Sequence, residues 1–119
     1  MIPATAPTLS PVADTGTVSV RLIGVSFGGY GLSPANRTRE QARAIAESLL
    51  ARIRRGEDFA EVARQMGEDS LSSRGGDFGR IGRGTLTAPI EEAAFALPVG
   101  GVGEIVSDDS GFTIVQRDR

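Results

Sequence analysis

The chain contains no cysteine and no histidine among its 119 residues. Without cysteine there is no disulfide, no thiol nucleophile and no thiolate metal site. Without histidine, hydrolysis by a histidine-assisted serine or cysteine is excluded as well. A metal site would have to be built from carboxylates alone. No Asp/Glu run has the spacing of a calcium loop, so no metal and no cofactor is expected. Lysine is also missing, and every basic side chain is an arginine. No apolar run approaches the ~18 residues of a membrane-crossing helix. The N-terminus has no basic stretch followed by an apolar one, so no signal peptide is read there. The expected location is the cytoplasm if the chain is whole, and the periplasm or another extracytoplasmic space if it is one domain of a larger protein. The formal net charge is -2, with no long run of either sign. Neither nucleic acid nor a membrane is therefore expected as a partner, and the chain is expected to act as a monomer.

What is present describes one domain. A chain that is 39% hydrophobic and 24% charged suits a single globular unit with a modest core. Residues 1–16 are rich in Pro, Ala, Thr and Ser and read as a disordered leader or linker. The folded domain then runs over 17–119. Thr17 to Phe27 is β-branched and partly alternating, which predicts a strand. Thr38 and Gln41 have the spacing of a capping box. Ala42, Ile45, Ala46, Leu49, Leu50 and Ile53 follow as one apolar stripe, with Arg43 and Glu47 one turn apart on the wet face and Gly56 as the stop. Asp58 and Glu61 repeat the cap, and Phe59, Val62, Ala63 and Met66 repeat the stripe. Glu68 to Gly84 reads as loop with short extended pieces. Pro89 to Leu97 reads as a short helix opened by proline. Val102 to Val106 reads as a short strand and Phe112 to Arg117 as a closing strand, with a turn at Asp108 to Gly111 between them. The order β-α-α-(β)-α-β-β implies an α+β domain, with helices packed on a small, mostly antiparallel sheet.

Several motifs have simpler readings than their chemistry suggests. Phe78-Gly79-Arg80-Ile81-Gly82-Arg83 has the look of a dinucleotide fingerprint, but no buried strand leads into it and Asp77 stands where the first glycine belongs. It reads as a glycine-rich turn. Asn36-Arg37-Thr38 matches a glycosylation sequon and reads as the approach to a helix cap. Arg37 and Arg39 lie where a phosphate would sit at a helix start, and read as solvated. Glu91 and Glu92 read as carboxylates favouring the helix dipole.

Six segments in order resemble the parvulin-type peptidyl-prolyl isomerases. They are Arg37-Thr38-Arg39-Glu40-Gln41-Ala42, Gly56 to Ala63, Glu68-Asp69-Ser70 leading to Gly75-Gly76-Asp77-Phe78-Gly79, Ile90 to Leu97, Gly100-Gly101-Val102-Gly103, and Ser110-Gly111-Phe112. Together they span about Val18 to Asp118. The resemblance implies the FKBP-like superfold, with a sheet of about four strands surrounded by three to four helices. It implies binding of proline-containing peptides or unfolded protein segments. Leu86 falls on the family's pocket methionine, Ile90 on its pocket phenylalanine, and Phe78 on the apolar residue of the glycine-rich turn. Leu86 and Ile90 are expected on the rim of an open cup. Asp69 falls on a position that is aspartate or cysteine in active members, and Ser110 on a serine near the closing strand.

The resemblance also marks a departure. The family's first-strand histidine falls on Leu22, or on Arg21 if the register slips by one, and its closing-strand histidine falls on Thr113. Loss of one imidazole alone would strand a buried polar partner, at about 1–3 kcal/mol. Loss of both avoids that cost, so Leu22 and Thr113 read as a repacked core. The implied activity is cis-trans isomerisation of X-Pro bonds in assistance of protein folding, at a reduced rate. The alternative is a chaperone-like domain that holds peptides without catalysis.

Overall fold

The computed structural model describes residues 16–29, 34–66 and 71–118. Strand β1 (Thr17–Ser26) is followed by α1 (Arg39–Arg54) and α2 (Phe59–Met66), then a single 3-10 turn at Ser72–Arg74 and strand β2 (Asp77–Gly82). Helix α3 (Ala88–Ala96) and strands β3 (Val106–Ser107) and β4 (Gly111–Arg117) complete the described elements. The strands form one four-stranded sheet in the order β2-β1-β4-β3, and each of these pairings is antiparallel. The domain is thus α+β, with its longest strand in the middle of the sheet.

The helix boundaries follow from local chemistry. At the start of α1, Thr38 Oγ1 accepts the Gln41 backbone N–H at 3.1 Å, and the Gln41 side chain accepts from Thr38 N at 2.8 Å. Both bonds satisfy donors that the first turn would otherwise leave open. The cap of α2 is one-sided. Glu61 N donates to Asp58 Oδ2, while the Glu61 carboxylate turns forward to Arg64 at 2.7 Å instead of closing the box. The expected stripes pack inward, except that Met66, the last residue of α2, is 44% exposed.

Period two along β1 divides the core between the two faces of the sheet. On one face Ile23 and Val25 join Phe112 and Ile114 of β4 under Ala42, Ala46, Leu49, Leu50 and Ile53 of α1 and Phe59, Val62 and Ala63 of α2. On the other, Val18, Val20 and Leu22 join Ile81 and Val115 under Ile90 and Ala94 of α3. The side chains of Leu86, Phe95, Leu97 and Val106 close in around this second cluster.

Two strand expectations change. Asp77 to Gly82, read as no more than a short extended piece within a loop, is a full edge strand paired to Thr17–Arg21. Its glycines hide the period that the ladder imposes. Val102 to Val106 is not one strand. Val102 makes a lone bridge to Gln116, and the ladder resumes only at Val106–Ser107. Between them the glycine-rich chain follows β4 through irregular bonds, Gly100 N to Arg117 O at 2.7 Å and Gly103 N to Val115 O at 3.1 Å. Of the leader expected over residues 1–16, residues 1–15 lie outside the described residues.

Candidate active site

The site is built on the sheet face that carries α3. Leu22 is 9% exposed and pairs across the ladder with Val115, while Thr113 pairs with Gly24. Leu22 and Thr113 therefore share a face as diagonal neighbours, at the ~7–8 Å spacing of such pairs. Thr113 also pairs with Val106, which packs against the same cluster, and its hydroxyl has no hydrogen-bond partner among the described residues. Arg21, the alternative position for the missing imidazole, lies on the opposite face and donates to Gly75 O at 3.1 Å.

Helix α3 packs over this face of the sheet. Pro89 sits in its first turn and Ile90 points into the cluster. At 9% exposure Ile90 is part of the core floor, not the open rim that was expected. Leu86 is half-buried against the same cluster and suits the rim better. The loop that carries Leu86 is tied at both ends. Gly82 N donates to Thr85 Oγ1 at 3.2 Å, and the carboxylate of Glu91 accepts from Gly84 N and, at 3.1 Å, from Leu86 N. Glu91 was read from sequence as a helix-dipole residue like Glu92. Only Glu92 is exposed in that way; Glu91 is 7% exposed and faces back into the loop. Its partners are backbone amides, which leave no trace in a side-chain pattern.

The remaining candidates are spread more widely. Phe78 is 37% exposed on the edge strand and does not join the cluster. The register shifts beside it, with Val20 opposite Gly79 and Arg21 opposite Asp77, so Phe78 is the extra residue of a bulge. Ser110 lies in the β3–β4 turn, where its hydroxyl donates to Asp108 Oδ1 at 2.9 Å. Asp69 lies outside the described residues.

Asp108 organises that turn. Its Oδ1 also accepts from Ser110 N at 2.8 Å and Gly111 N at 2.9 Å. Partial burial opposes its ionisation, but these bonds and the nearby Arg39 outweigh it and hold the carboxyl below the usual range. A depressed folded value adds stability that is present above the unfolded value of about 3.9 and is lost as pH falls through the folded one. Asp108→Asn should therefore be less stable than the native chain at neutral pH, by roughly 1 kcal/mol. The gap should close as the pH falls below about 4. Thermal unfolding of both proteins across that range checks this; a gap that does not change with pH contradicts it.

The arginines at the α1 start are engaged structurally. Arg37 donates to Ser26 O at 3.0 Å. Arg39 donates to Asp108 O and lies over the rings of Phe112, at 5.0 Å, and Phe27, at 5.5 Å. A separate groove of about 490 Å³ lies along the outer side of α1, rimmed by the ion pairs Arg43–Glu47 and Arg54–Glu104. None of the candidate site residues lines it.

Known proteins share this fold. The family described as the PPIC-type PPIase domain matches residues 9–118. The chain belongs to this family of peptidyl-prolyl cis-trans isomerases. It is 43% identical over 81 residues to the peptidyl-prolyl cis-trans isomerase Pin1 of Arabidopsis thaliana, covering 67% of this chain and 68% of that protein. It is 42% identical over 82 residues to the putative peptidyl-prolyl cis-trans isomerase dodo of Drosophila melanogaster. That match covers 68% of this chain but only 49% of the fly protein. Among solved structures, the peptidyl-prolyl isomerase ESS1 from Candida albicans superposes with a TM-score of 0.79 at 33% identity, over 87% of this chain and 63% of that one. Both the fold and the isomerase assignment implied by the six sequence segments therefore stand.

Proposed function

We propose that this domain isomerises X-Pro bonds by an apolar cup and a few polar groups, without imidazole. Leu86 forms the lip, Ile90 and Leu22 the floor, and Phe78 the outer wall on the bulged edge strand. The observation that carries this reading is the convergence of Leu22, Leu86 and Ile90, from a strand, a loop and a helix, on one cluster beside Thr113.

The chemistry needs no acid, base or nucleophile. Amide resonance keeps the X-Pro bond planar behind a barrier of about 18–20 kcal/mol. Catalysis requires only that the twisted imide be held better than the planar one. An apolar cup disfavours the charge-separated planar form. The hydroxyl of Thr113, without a hydrogen-bond partner among the described residues, is a donor for the twisted carbonyl. Ser110 shapes this end of the site through the Asp108 turn, since its proton is committed there. Proline-containing segments of unfolded proteins are the substrates this site fits, and assistance of folding is the role that follows.

A protease-coupled assay with Ser-Pro and phospho-Ser-Pro peptides tests the reading. The protein should accelerate both, with less than about a tenfold difference between them. Arg37 and Arg39 are engaged with Ser26 O and Asp108 O, and residues 30–36 contain no basic side chain. Binding without any acceleration supports the peptide-holding alternative, which the absence of histidine favours. A strong preference for phosphate contradicts the assignment of these two arginines.

A further inference from the structure

We propose that Glu91 is a positioning residue for the proline cup, acting through Leu86. The inference rests on the reading that Leu86 contacts the proline ring.

A carboxylate is almost never buried without partners that hold its charge. Glu91 is 7% exposed, and no arginine pairs with it among the described residues. Its partners are instead two backbone amides of one short loop, Gly84 N and Leu86 N, which converge on the same oxygen, Oε2. Bonds to an ionised acceptor are roughly twice as strong as neutral ones. A residue that only complemented the helix dipole would sit in water, as Glu92 does.

The placement links the two halves of the cup. Ile90, one residue before, packs into its floor, and Leu86, bonded through its own amide, stands at its lip. One turn of α3 thus carries both the floor and the tether of the lip. The loop is steadied further at its start, where the Arg83 guanidinium lies 4.1 Å from the centroid of the Phe95 ring. Without the tether the described contacts of the loop reduce to the Gly82–Thr85 bonds and the Arg83–Phe95 contact, neither of which holds the Leu86 side chain against Ile90.

The test uses the full chain with Glu91→Gln, Leu86→Ala and the double variant. Glutamine presents an oxygen to the same two amides but no charge, so the fold should persist while the tether weakens. Amide exchange at Gly84 and Leu86 should quicken about tenfold, with exchange in α3 unchanged. For an Ala-Pro peptide, KM should rise about fivefold with kcat within about twofold, because the lip holds planar and twisted forms alike. In the Leu86→Ala background, Glu91→Gln should add almost nothing, whereas a merely structural role would add its full effect. Additive losses, or unchanged KM and exchange in Glu91→Gln, overturn the proposal while leaving the cup in place. Unchanged KM in Leu86→Ala overturns the cup and the proposal together. If turnover is too slow to follow, the same comparisons are read from the Kd of the peptide by NMR titration. A Glu91→Leu variant, which removes both bonds, should exceed Glu91→Gln in every effect where it folds.

Discussion

Gly76→Ala should destabilise the domain by about 3 kcal/mol or more, a large part of the total stability of a chain this size. Gly76 has φ +78°, and a Cβ built on it lies 2.5 Å from the carbonyl oxygen of Leu22. The obstacle is backbone of the central strand, not the far end of a flexible side chain. Gly76 cannot retreat either, because its own carbonyl accepts the Leu22 N–H at 2.8 Å. Relief would break that bond and displace Leu22, and with it the floor of the cup. Gly100→Ala is the control. Gly100 has φ +83° but nothing within 4 Å of an added Cβ, so only backbone strain of about 1 kcal/mol is expected. Denaturant unfolding of both variants separates the two terms. Equal midpoints would mean that the approach of Gly76 to Leu22 is looser than described.

Leu22→His should cost a few kcal/mol, because it places an imidazole at a position 9% exposed among Val18, Val20, Ile90 and Val115. Thr113→His alone should cost less, since that position is only partly buried and opposes Gly24 and Val106. The double substitution should recover part of the sum. The two positions share a face as diagonal neighbours, within reach of long side chains, so each ring can bond the other. A double-mutant cycle on stability reads this coupling, and strict additivity contradicts the shared network. Turnover measured on the same four proteins shows whether an imidazole pair raises the rate above what the apolar cup provides.

Legibility varied with the range of the interaction. The Thr38–Gln41 box was readable because both bonds lie within one helical turn, and the α1 stripe because a helix prints its period on the sequence. Strand β2 was legible only as a short extended piece, since Gly79 and Gly82 carry no side chain to alternate and the bulge at Phe78 breaks the count. Register alone decides that Phe78 is exposed and that Leu22 and Thr113 share a face. Both facts depend on pairings tens of residues apart. Ile90 was expected on the open rim, but its depth depends on how α3 seats on the sheet. Glu91 was the least legible, because its role is set by amides that every residue possesses.

The central claim is that an apolar cup turns over X-Pro bonds with no histidine in the chain. The most direct measurement is cis-trans exchange of an Ala-Pro peptide at equilibrium, followed by NMR with a small fraction of protein present. Unaided exchange takes roughly 10–100 s. Wild-type protein should shorten it, and Leu86→Ala, whose half-buried side chain leaves the core intact, should lose most of that acceleration. A peptide that shifts the resonances of Leu86 and Ile90 yet exchanges at its unaided rate would contradict the account and leave a domain that holds proline without turning it.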